Sequence, residues 1–240
     1  MIKYITLLLL INFSWGQAPC EDQRYLEIKK KPFKKMSARE YEYFIFIEKE
    51  CLSSSDNLIT KNETNLTDTI CISTKFGNIK INLFSEIAPF HVESFLTHVK
   101  NGFYDGTIFH RTIPGFMIQG GDPNTKNYNK TSYGTGGHSA KYFGLGNESN
   151  RLTWTLPPEF NNIEHKRGIV SMARSNSPNS AGSQFFICVT DAHHLDGQYS
   201  VFGKVVDGLK IVDEIANLKR DKKDNPLDRI EISISTCREN

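Results

Sequence analysis

Apolar and polar residues alternate along two neighbouring segments, 69–74 and 77–83, on either side of a Phe-Gly-Asn turn. Alternation with a period of two is typical of half-buried strands, because successive side chains of a strand point to opposite faces of the sheet. The two segments therefore predict a β-hairpin. The same alternation returns over 228–236 and predicts a last strand near the end of the chain.

Two other segments follow a helical period. Residues 89–99 carry apolar side chains at helical spacing and end before Asn101-Gly102, a typical helix stop. A second amphipathic helix is predicted over 209–218. Short β-prone runs lie at 107–110, 115–119, 168–172, 184–189 and 200–205. Many short strands with two helices indicate a mainly β fold, either a barrel or a sandwich with helical caps.

The first sixteen residues have the pattern of a secretory signal peptide. Lys3 supplies a positive charge, an apolar run covers 5–13, and the small residue Gly16 suits cleavage before Gln17. The apolar run is too short to span a bilayer by itself. The signal-peptide interpretation predicts a secreted or periplasmic protein, or one in the lumen of a eukaryotic secretory pathway, with no stable membrane span after cleavage. The alternative is a short buried helix at the start of a cytosolic domain.

The region 17–67 differs in composition from the segments after it. Its first part, 17–36, is polar and basic, which predicts either a solvated, mobile arm or a contact with an acidic surface. Ser37 can cap a helix predicted from Ala38 to Glu50, and residues 55–67 resemble a linker. The predicted organisation is a signal peptide at 1–16, an arm, helix and linker at 17–67, and one main domain at 68–240.

Composition and cysteine usage exclude several protein classes. A chain of 240 residues that is 38% hydrophobic can form a core, and a net charge of +2 is too small to indicate a nucleic-acid binder. Five cysteines are too few for a disulfide-framed mini-protein. Cys188 lies in an apolar run and is expected to be a buried thiol. The candidates for two disulfides are Cys20, Cys51, Cys71 and Cys237, and their spacing leaves the connectivity open.

Four ordered motifs carry the candidate chemistry. They are Phe-His-Arg-Thr-Ile-Pro-Gly-Phe-Met-Ile-Gln-Gly-Gly-Asp at 109–122, Gly-Ile-Val-Ser-Met-Ala-Arg at 168–174, Asn-Ser-Ala-Gly-Ser-Gln-Phe-Phe-Ile at 179–187 and His-Leu-Asp-Gly-Gln-Tyr-Ser-Val-Phe-Gly at 194–203. Together they resemble the cyclophilin family of peptidyl-prolyl cis/trans isomerases over about residues 69–238. The resemblance implies a closed, antiparallel, eight-stranded β-barrel capped by two α-helices, here preceded by an N-terminal helical extension. It also implies an enzyme that isomerises Xaa-Pro bonds without a cofactor or a metal.

The resemblance also implies which residues form the site. Arg111 matches the family's catalytic arginine, and Gln119 matches the glutamine that orients it. A guanidinium suits the reaction, because the proline nitrogen gains a lone pair as the amide twists and a charged donor can stabilise it. The positions implied to bind the proline ring and the substrate main chain are Phe116, Met117, Ala173, Arg174, Gln184, Phe186, His194, Leu195 and Tyr199.

The chain departs from the best-studied eukaryotic members of that family at two of these positions. His194 stands where they carry Trp, and Tyr199 where they carry His. Proline should still be accepted, since either ring at the second position forms a flat wall, but loss of the indole donor predicts weak or no cyclosporin binding. Insertions at 123–133 and 138–156, and a slightly longer 174–177, flank the groove in the family. They extend the binding surface, partly cover it or are neutral elaborations.

Several histidines and carboxylates lie beside the motifs. His193, His194, Asp191 and Asp196 resemble a metal cluster in composition, but four ligands on one short loop have poor geometry without a ligand from elsewhere. No metal site is predicted. His110 should point away from the face of Arg111, as alternate residues of a strand do, and is expected to be structural.

In the family the first and last strands are neighbours, which implies a Cys71–Cys237 disulfide with Cys20–Cys51 as its companion. The expected partners are proline-containing polypeptides and not nucleic acid, and a monomer is expected. The rival interpretation is a non-catalytic module that holds a proline-containing partner in the same groove. A third is an adhesion or signalling protein that retains the barrel for its surface.

Overall fold

The computed structural model describes residues 21–31, Tyr43, Phe44, Ile47 and 69–237. The chain divides into two compact units, residues 1–62 and 63–240. In the described ranges no helix is long and apolar enough to cross a bilayer. The predicted signal peptide, the linker and most of the helix predicted over 38–50 lie outside the described residues.

A short helix, α1 (Gln23–Lys29), lies in the first unit. The Asp22 carboxylate begins it by accepting a hydrogen bond from the Tyr25 N–H at 2.7 Å. Tyr25 and Ile28 are buried, and the Tyr25 ring stacks on that of Phe44 at 5.8 Å between centroids. The interpretation of this stretch as a solvated, mobile arm is therefore wrong for α1, because two apolar side chains a helical turn apart are enough to give it a buried face.

The second unit is built on one antiparallel sheet, which confirms the mainly β prediction. Its strands are β1 (Thr69–Thr74), β2 (Gly77–Leu83), β3 (Thr107–Ile108), β4 (Arg111–Ile113), β5 (Met117–Gly120), β6 (Ile169–Met172), β7 (Phe185–Cys188), β8 (Val201–Asp207) and β9 (Glu231–Thr236). They lie in the order β3-β9-β1-β2-β8-β6-β7-β5-β4. The two predicted helices are present as α2 (Pro89–Lys100) and α3 (Leu209–Ala216).

The two ends of the strand order are β3 and β4, which only Phe109 and His110 separate along the chain. The Phe109 N–H donates to the Ile230 carbonyl at 3.1 Å, and the His110 N–H donates to the Gln119 carbonyl at 3.0 Å. The chain thus passes directly from one end of the sheet to the other, and the sheet curls into a barrel-like form. The structure thus has nine strands where the resemblance implied eight, and β3 and β4 are consecutive segments that Phe109 and His110 separate.

The predicted hairpin is confirmed. Strands β1 and β2 pair from Thr69 opposite Asn82 to Thr74 opposite Gly77. Gly77 has a φ of +130°, and a Cβ there would lie 2.7 Å from the Ile211 Cδ1 of α3. The positive φ is the reason that glycine is favoured at this position.

Strand β1 also pairs with β9, and this brings two cysteines together. Cys237 follows β9, its N–H donates to the Thr69 carbonyl at 3.0 Å, and its sulfur is bonded to that of Cys71. The predicted Cys71–Cys237 disulfide is confirmed. Cys188 is a buried free thiol, as predicted. The proposed Cys20–Cys51 pair lies outside the described residues.

Helix α2 packs its aromatic residues into the interior of the sheet. The Phe95 ring lies 5.0 Å from Tyr104, 5.5 Å from Phe185 and 5.3 Å from Phe202, measured between centroids. Phe185 belongs to β7, so the next residue, Phe186, points to the opposite face of the sheet. Because the core occupies the face of β7 that carries Phe185, the opposite face, which carries Phe186, is available for the site.

A buried carboxylate from a distant loop caps α2. The N-cap residue, Ala88, has no side chain that can accept a hydrogen bond. Glu159 replaces it, since its Oε1 accepts the Phe90 N–H at 3.1 Å and its Oε2 accepts the His91 N–H at 2.9 Å. Oε2 also lies 2.5 Å from His91 Nδ1. A negative group satisfies free N–H donors there and interacts favourably with the helix dipole.

We expect Glu159→Gln to destabilise the domain by about 2–4 kcal/mol, because a buried charge-assisted bond is lost and an amide NH₂ faces backbone donors. Urea unfolding of the purified protein measures this change. The matched control is Glu93→Gln on the exposed side of α2, where Glu93 pairs with Lys141 in solvent. That variant should change stability by less than about 1 kcal/mol. Equal losses in the two variants would contradict the capping role.

Candidate active site

The outer face of β5 and β7 carries an apolar cluster separate from the main core. Its buried members are Met117, Phe186, Cys188, Ala192 and Leu195, and the half-buried side chains packed against them are Ile113, Phe116, Ala173 and Tyr199. Strands β4, β5 and β7 and the turn over 192–199 contribute to it, together with Ala173 just after β6. Burial raises the pKa of the Cys188 thiol to about 12, so this thiol is a packing group and not a nucleophile.

A cavity of about 170 Å³ opens over this cluster. Its lining residues are Arg111, Phe116, Met117, Gln119, Ala173, Arg174, Phe186, Leu195 and Tyr199, all of which were predicted site residues. Pockets for drug-sized molecules enclose about 300–1,000 Å³. A cavity of this size instead suits a single small ring or side chain, held on an apolar floor with polar groups at its rim.

A chain of side-chain hydrogen bonds orients Arg111. Arg111 and Gln119 lie opposite each other in the β4–β5 pair, and Nη1 of Arg111 donates to Oε1 of Gln119 at 3.4 Å. Gln119 Nε2 donates to Gln184 Oε1 at 2.9 Å, and Gln184 Nε2 donates to the Gly136 carbonyl at 2.7 Å. Because each amide is committed at both ends, Gln119 presents its oxygen to the guanidinium.

Two predicted site residues, Gln184 and His194, do not line the cavity. Gln184 acts through Gln119, as described above. His194 is exposed, and its ring lies 5.5 Å from that of Phe116. It therefore extends the rim and does not form a wall of the cavity. Tyr199 forms the wall expected of it, with its ring edge-on to Phe186 at 5.7 Å and 85°.

His165 supports this wall and was missed by the sequence analysis. It is buried, and its ring lies parallel to that of Phe186 at 6.1 Å. Nδ1 lies 2.9 Å from Asp196 Oδ1, and Nε2 lies 3.1 Å from Ser171 Oγ. The His165 N–H also donates to Asp196 and is the main reason that the pKa of this carboxyl is lowered to about 2. Burial lowers the pKa of the His165 ring. No local pattern marks it, because Asp196 and Phe186 lie far from it in sequence.

Two further histidines, His110 and His193, lie near the site but do not line the cavity. His110 is buried and does not line the cavity, and burial lowers its pKa.

The ligand atoms of Glu164, His193 and Asp196 lie within 4.8 Å of one another. Two of these residues, His193 and Asp196, belong to the possible metal cluster noted in the sequence, and Glu164 joins them from another loop. His193 Nδ1 pairs with Asp196 at 3.0 Å. Glu164 pairs with Lys166 at 2.6 Å, so ion pairs account for all three side chains.

The two insertions occupy different places. Asp122 ties down the first, since its carboxylate accepts the Asn124 N–H at 2.8 Å and the Gly134 N–H at 2.5 Å. The residues that follow it reach Gln184 through Gly136. The second insertion contacts α2, where Ser94 Oγ accepts the Ala140 N–H at 2.9 Å. Neither insertion lines the cavity.

Comparison with known families gives the same assignment. The family model described as cyclophilin type peptidyl-prolyl cis-trans isomerase/CLD matches residues 69–238. The chain belongs to the cyclophilin family. The match covers the whole of the described sheet and both of its helices, and it contains every residue that lines the cavity. This cyclophilin is thus a peptidyl-prolyl cis-trans isomerase by family.

Curated relatives carry the same description. A peptidyl-prolyl cis-trans isomerase of Acinetobacter baylyi is 41% identical over 152 residues, which cover 61% of this chain and 71% of the relative. A probable peptidyl-prolyl cis-trans isomerase of Brucella suis is 41% identical over 156 residues, covering 65% and 75% of the two chains. The isomerase CYP18-1 of Arabidopsis thaliana is 38% identical over 173 residues, covering 71% and 96%.

A solved structure confirms the likeness in three dimensions. The cyclophilin type peptidyl-prolyl cis-trans isomerase of Cryptosporidium parvum, crystallised in the presence of the dipeptide Ala-Pro, is 35% identical. It superposes with a TM-score of 0.61 and covers 71% of this chain and 99% of its own. The predicted cyclophilin fold is therefore confirmed, whereas the roles given to individual site residues stay predictions.

Proposed function

We propose that this cyclophilin isomerises Xaa-Pro bonds in polypeptides that fold outside the cytosol, and so speeds their folding. The disulfide between Cys71 and Cys237 carries this proposal, since disulfides persist in oxidising compartments and are rare in the cytosol. The signal-peptide pattern of residues 1–16 supports it independently. The compartment would be the periplasm, the cell exterior or the lumen of a secretory pathway.

The reaction needs no bond to break, only a lower barrier to rotation about the Xaa-Pro amide. That barrier is about 18–20 kcal/mol, and its slow crossing limits the folding of many chains. An enzyme lowers it by binding the twisted amide more tightly than the planar one. The apolar floor formed by Met117, Phe186 and Leu195 offers a place for the proline ring. With the ring held, the part of the chain before the proline can turn.

Arg111 is placed to favour the twisted state. As the amide twists, its resonance is lost and the proline nitrogen gains a lone pair, to which a guanidinium N–H can donate. Gln119 and Gln184 hold this guanidinium at the cavity before substrate arrives. Pre-oriented donors of this kind cost no reorganisation when charge develops.

The test uses the full chain expressed in a secreting cell. We expect a mature protein that begins at Gln17, is recovered outside the cytosol, contains an oxidised Cys71–Cys237 pair and accelerates cis/trans exchange of an Ala-Pro peptide. N-terminal mass spectrometry, non-reducing peptide mapping and exchange NMR measure these properties. A product that keeps Met1 and stays reduced in the cytosol would contradict the proposed compartment while leaving the isomerase activity standing.

The same assay separates the enzyme from its rival. A non-catalytic module would shift the resonances of the Ala-Pro peptide without speeding its exchange. An adhesion or signalling protein that merely keeps the barrel would do neither. Either result with folded, oxidised protein would overturn the enzymatic role.

A further inference from the structure

A second arginine lines the cavity beside the one predicted to be catalytic. Arg174 lies just after β6. Its Cζ lies 4.5 Å from the centroid of the Tyr199 ring. Because Tyr199 is a wall of the cavity, the guanidinium stacked on it forms part of the same wall.

Backbone carbonyls fix the orientation of this guanidinium. Arg174 Nε donates to the Gln198 carbonyl at 3.0 Å, and Nη1 donates to the carbonyls of Ser175 at 2.9 Å and Asn176 at 3.4 Å. A guanidinium has five N–H donors. Among the described residues, no hydrogen bond from Nη2 to the protein is observed, so its two N–H groups remain for a bound molecule.

The cavity carries two positive charges and no negative one. Arg111 and Arg174 are the charged residues that line it, and no carboxylate is among the lining residues. The nearby Asp196 is directed to His165 and His193 instead. A concave site lined by charges of one sign attracts ligands of the opposite sign.

We propose that Arg174 makes this enzyme selective for Xaa-Pro segments that carry a carboxylate, Glu or Asp, next to the proline. The proposal rests on the isomerase function proposed above. Arg111 is engaged with the twisting amide, so Arg174 is the group left to donate charge-assisted hydrogen bonds to a neighbouring carboxylate. A lysine at the same place in the substrate would meet two guanidinium groups and be disfavoured.

The expected size of the preference depends on how far the ion pair between Arg174 and the substrate carboxylate is exposed to solvent. Arg174 is half-buried, so the interaction should be stronger than that of a fully exposed ion pair and weaker than that of a buried one. We expect kcat/KM for a Glu-Pro peptide to exceed that for its Gln-Pro counterpart by about 3- to 10-fold at low salt. Added salt should reduce this ratio.

The experiment compares Glu-Pro, Gln-Pro, Lys-Pro and Pro-Glu peptides of otherwise identical sequence, using the full chain. In the wild type the acidic peptides should be preferred, and the Lys-Pro peptide should be the poorest substrate. Arg174→Gln should bring the ratio of Glu-Pro to Gln-Pro close to one, and Arg174→Lys should keep part of it. The matched control, Lys222→Gln, removes the same charge from an exposed loop that does not line the cavity and should keep the full ratio.

The outcomes separate the preference from the activity itself. Acceleration of the Gln-Pro peptide reports isomerisation alone, so its absence would overturn the proposed function. If that peptide is accelerated but the wild type shows no acidic preference, or Arg174→Gln keeps the preference, the selectivity proposal is overturned. If Arg174→Gln does not fold, the salt dependence of the wild-type ratio decides, and a ratio that salt leaves unchanged contradicts the role of Arg174.

Discussion

Replacement of Arg111 by alanine should slow isomerisation of an Ala-Pro peptide by about 10²- to 10³-fold, the usual effect of removing one transition-state donor. The side chain lines the cavity, and Gln119 is already positioned by Gln184 to hold it there. Exchange NMR with a peptide present in excess measures the loss directly. The apolar floor is untouched by this substitution, so peptide binding should change much less than the rate of exchange.

Two further variants make this test specific. Arg111→Lys keeps the charge but not the planar fork of donors, so it should recover only part of the rate. Arg151→Ala removes an arginine from the exposed second insertion, which does not line the cavity, and should behave as the wild type does. A folded Arg111→Ala protein with near-normal rates would show that the cavity catalyses by another group or does not catalyse at all.

Removal of the Cys71–Cys237 disulfide should have the largest effect on stability. The two cysteines are 166 residues apart in sequence, so the bond closes a long loop and restricts the unfolded chain strongly. We expect the double variant Cys71→Ser/Cys237→Ser to lose about 2–5 kcal/mol. At about 2–4 °C per kcal/mol for a chain of this size, the melting temperature should fall by about 4–20 °C. Differential scanning calorimetry measures this shift.

A reducing agent provides the control for the disulfide. It should lower the melting temperature of the wild type towards that of the double variant, and it should hardly affect the double variant itself. A Cys20→Ser/Cys51→Ser variant reports separately on the other predicted pair. A double variant that melts together with the oxidised wild type would show that strand pairing alone holds β1 and β9.

The sequence predicts those parts of the fold that repeat a local period. The β1–β2 hairpin alternates strictly, and α2 and α3 repeat apolar residues at helical spacing, so all are placed to within a few residues. Strand β4 could not be predicted in this way, because a three-residue strand is too short to show a period. Helix α1 could not be predicted from its period either, since only two of its seven residues are buried and its other residues include charged ones.

The cavity was predictable by a different route, because its residues lie in ordered motifs that match a family. The motifs show which residues line the cavity, but they do not show which other residues hold these in place. Nothing in the sequence links Glu159 to α2 or His165 to Phe186, since both contacts join segments that meet only in the folded barrel. Nor does a motif show that the guanidinium of Arg174 is stacked on Tyr199 and tied to carbonyls, which is what gives it a direction.

The bond between Cys71 and Cys237 also determines how the domain responds to mechanical tension. It joins the first strand of the barrel to the residue that follows the last, so the chain enters and leaves the domain at a covalently closed point. A pulling force applied through residues on either side would travel through the sulfur atoms and bypass the hydrogen bonds of the sheet. The oxidised domain should therefore keep its cavity intact under loads that would separate β1 from β9 in the reduced protein.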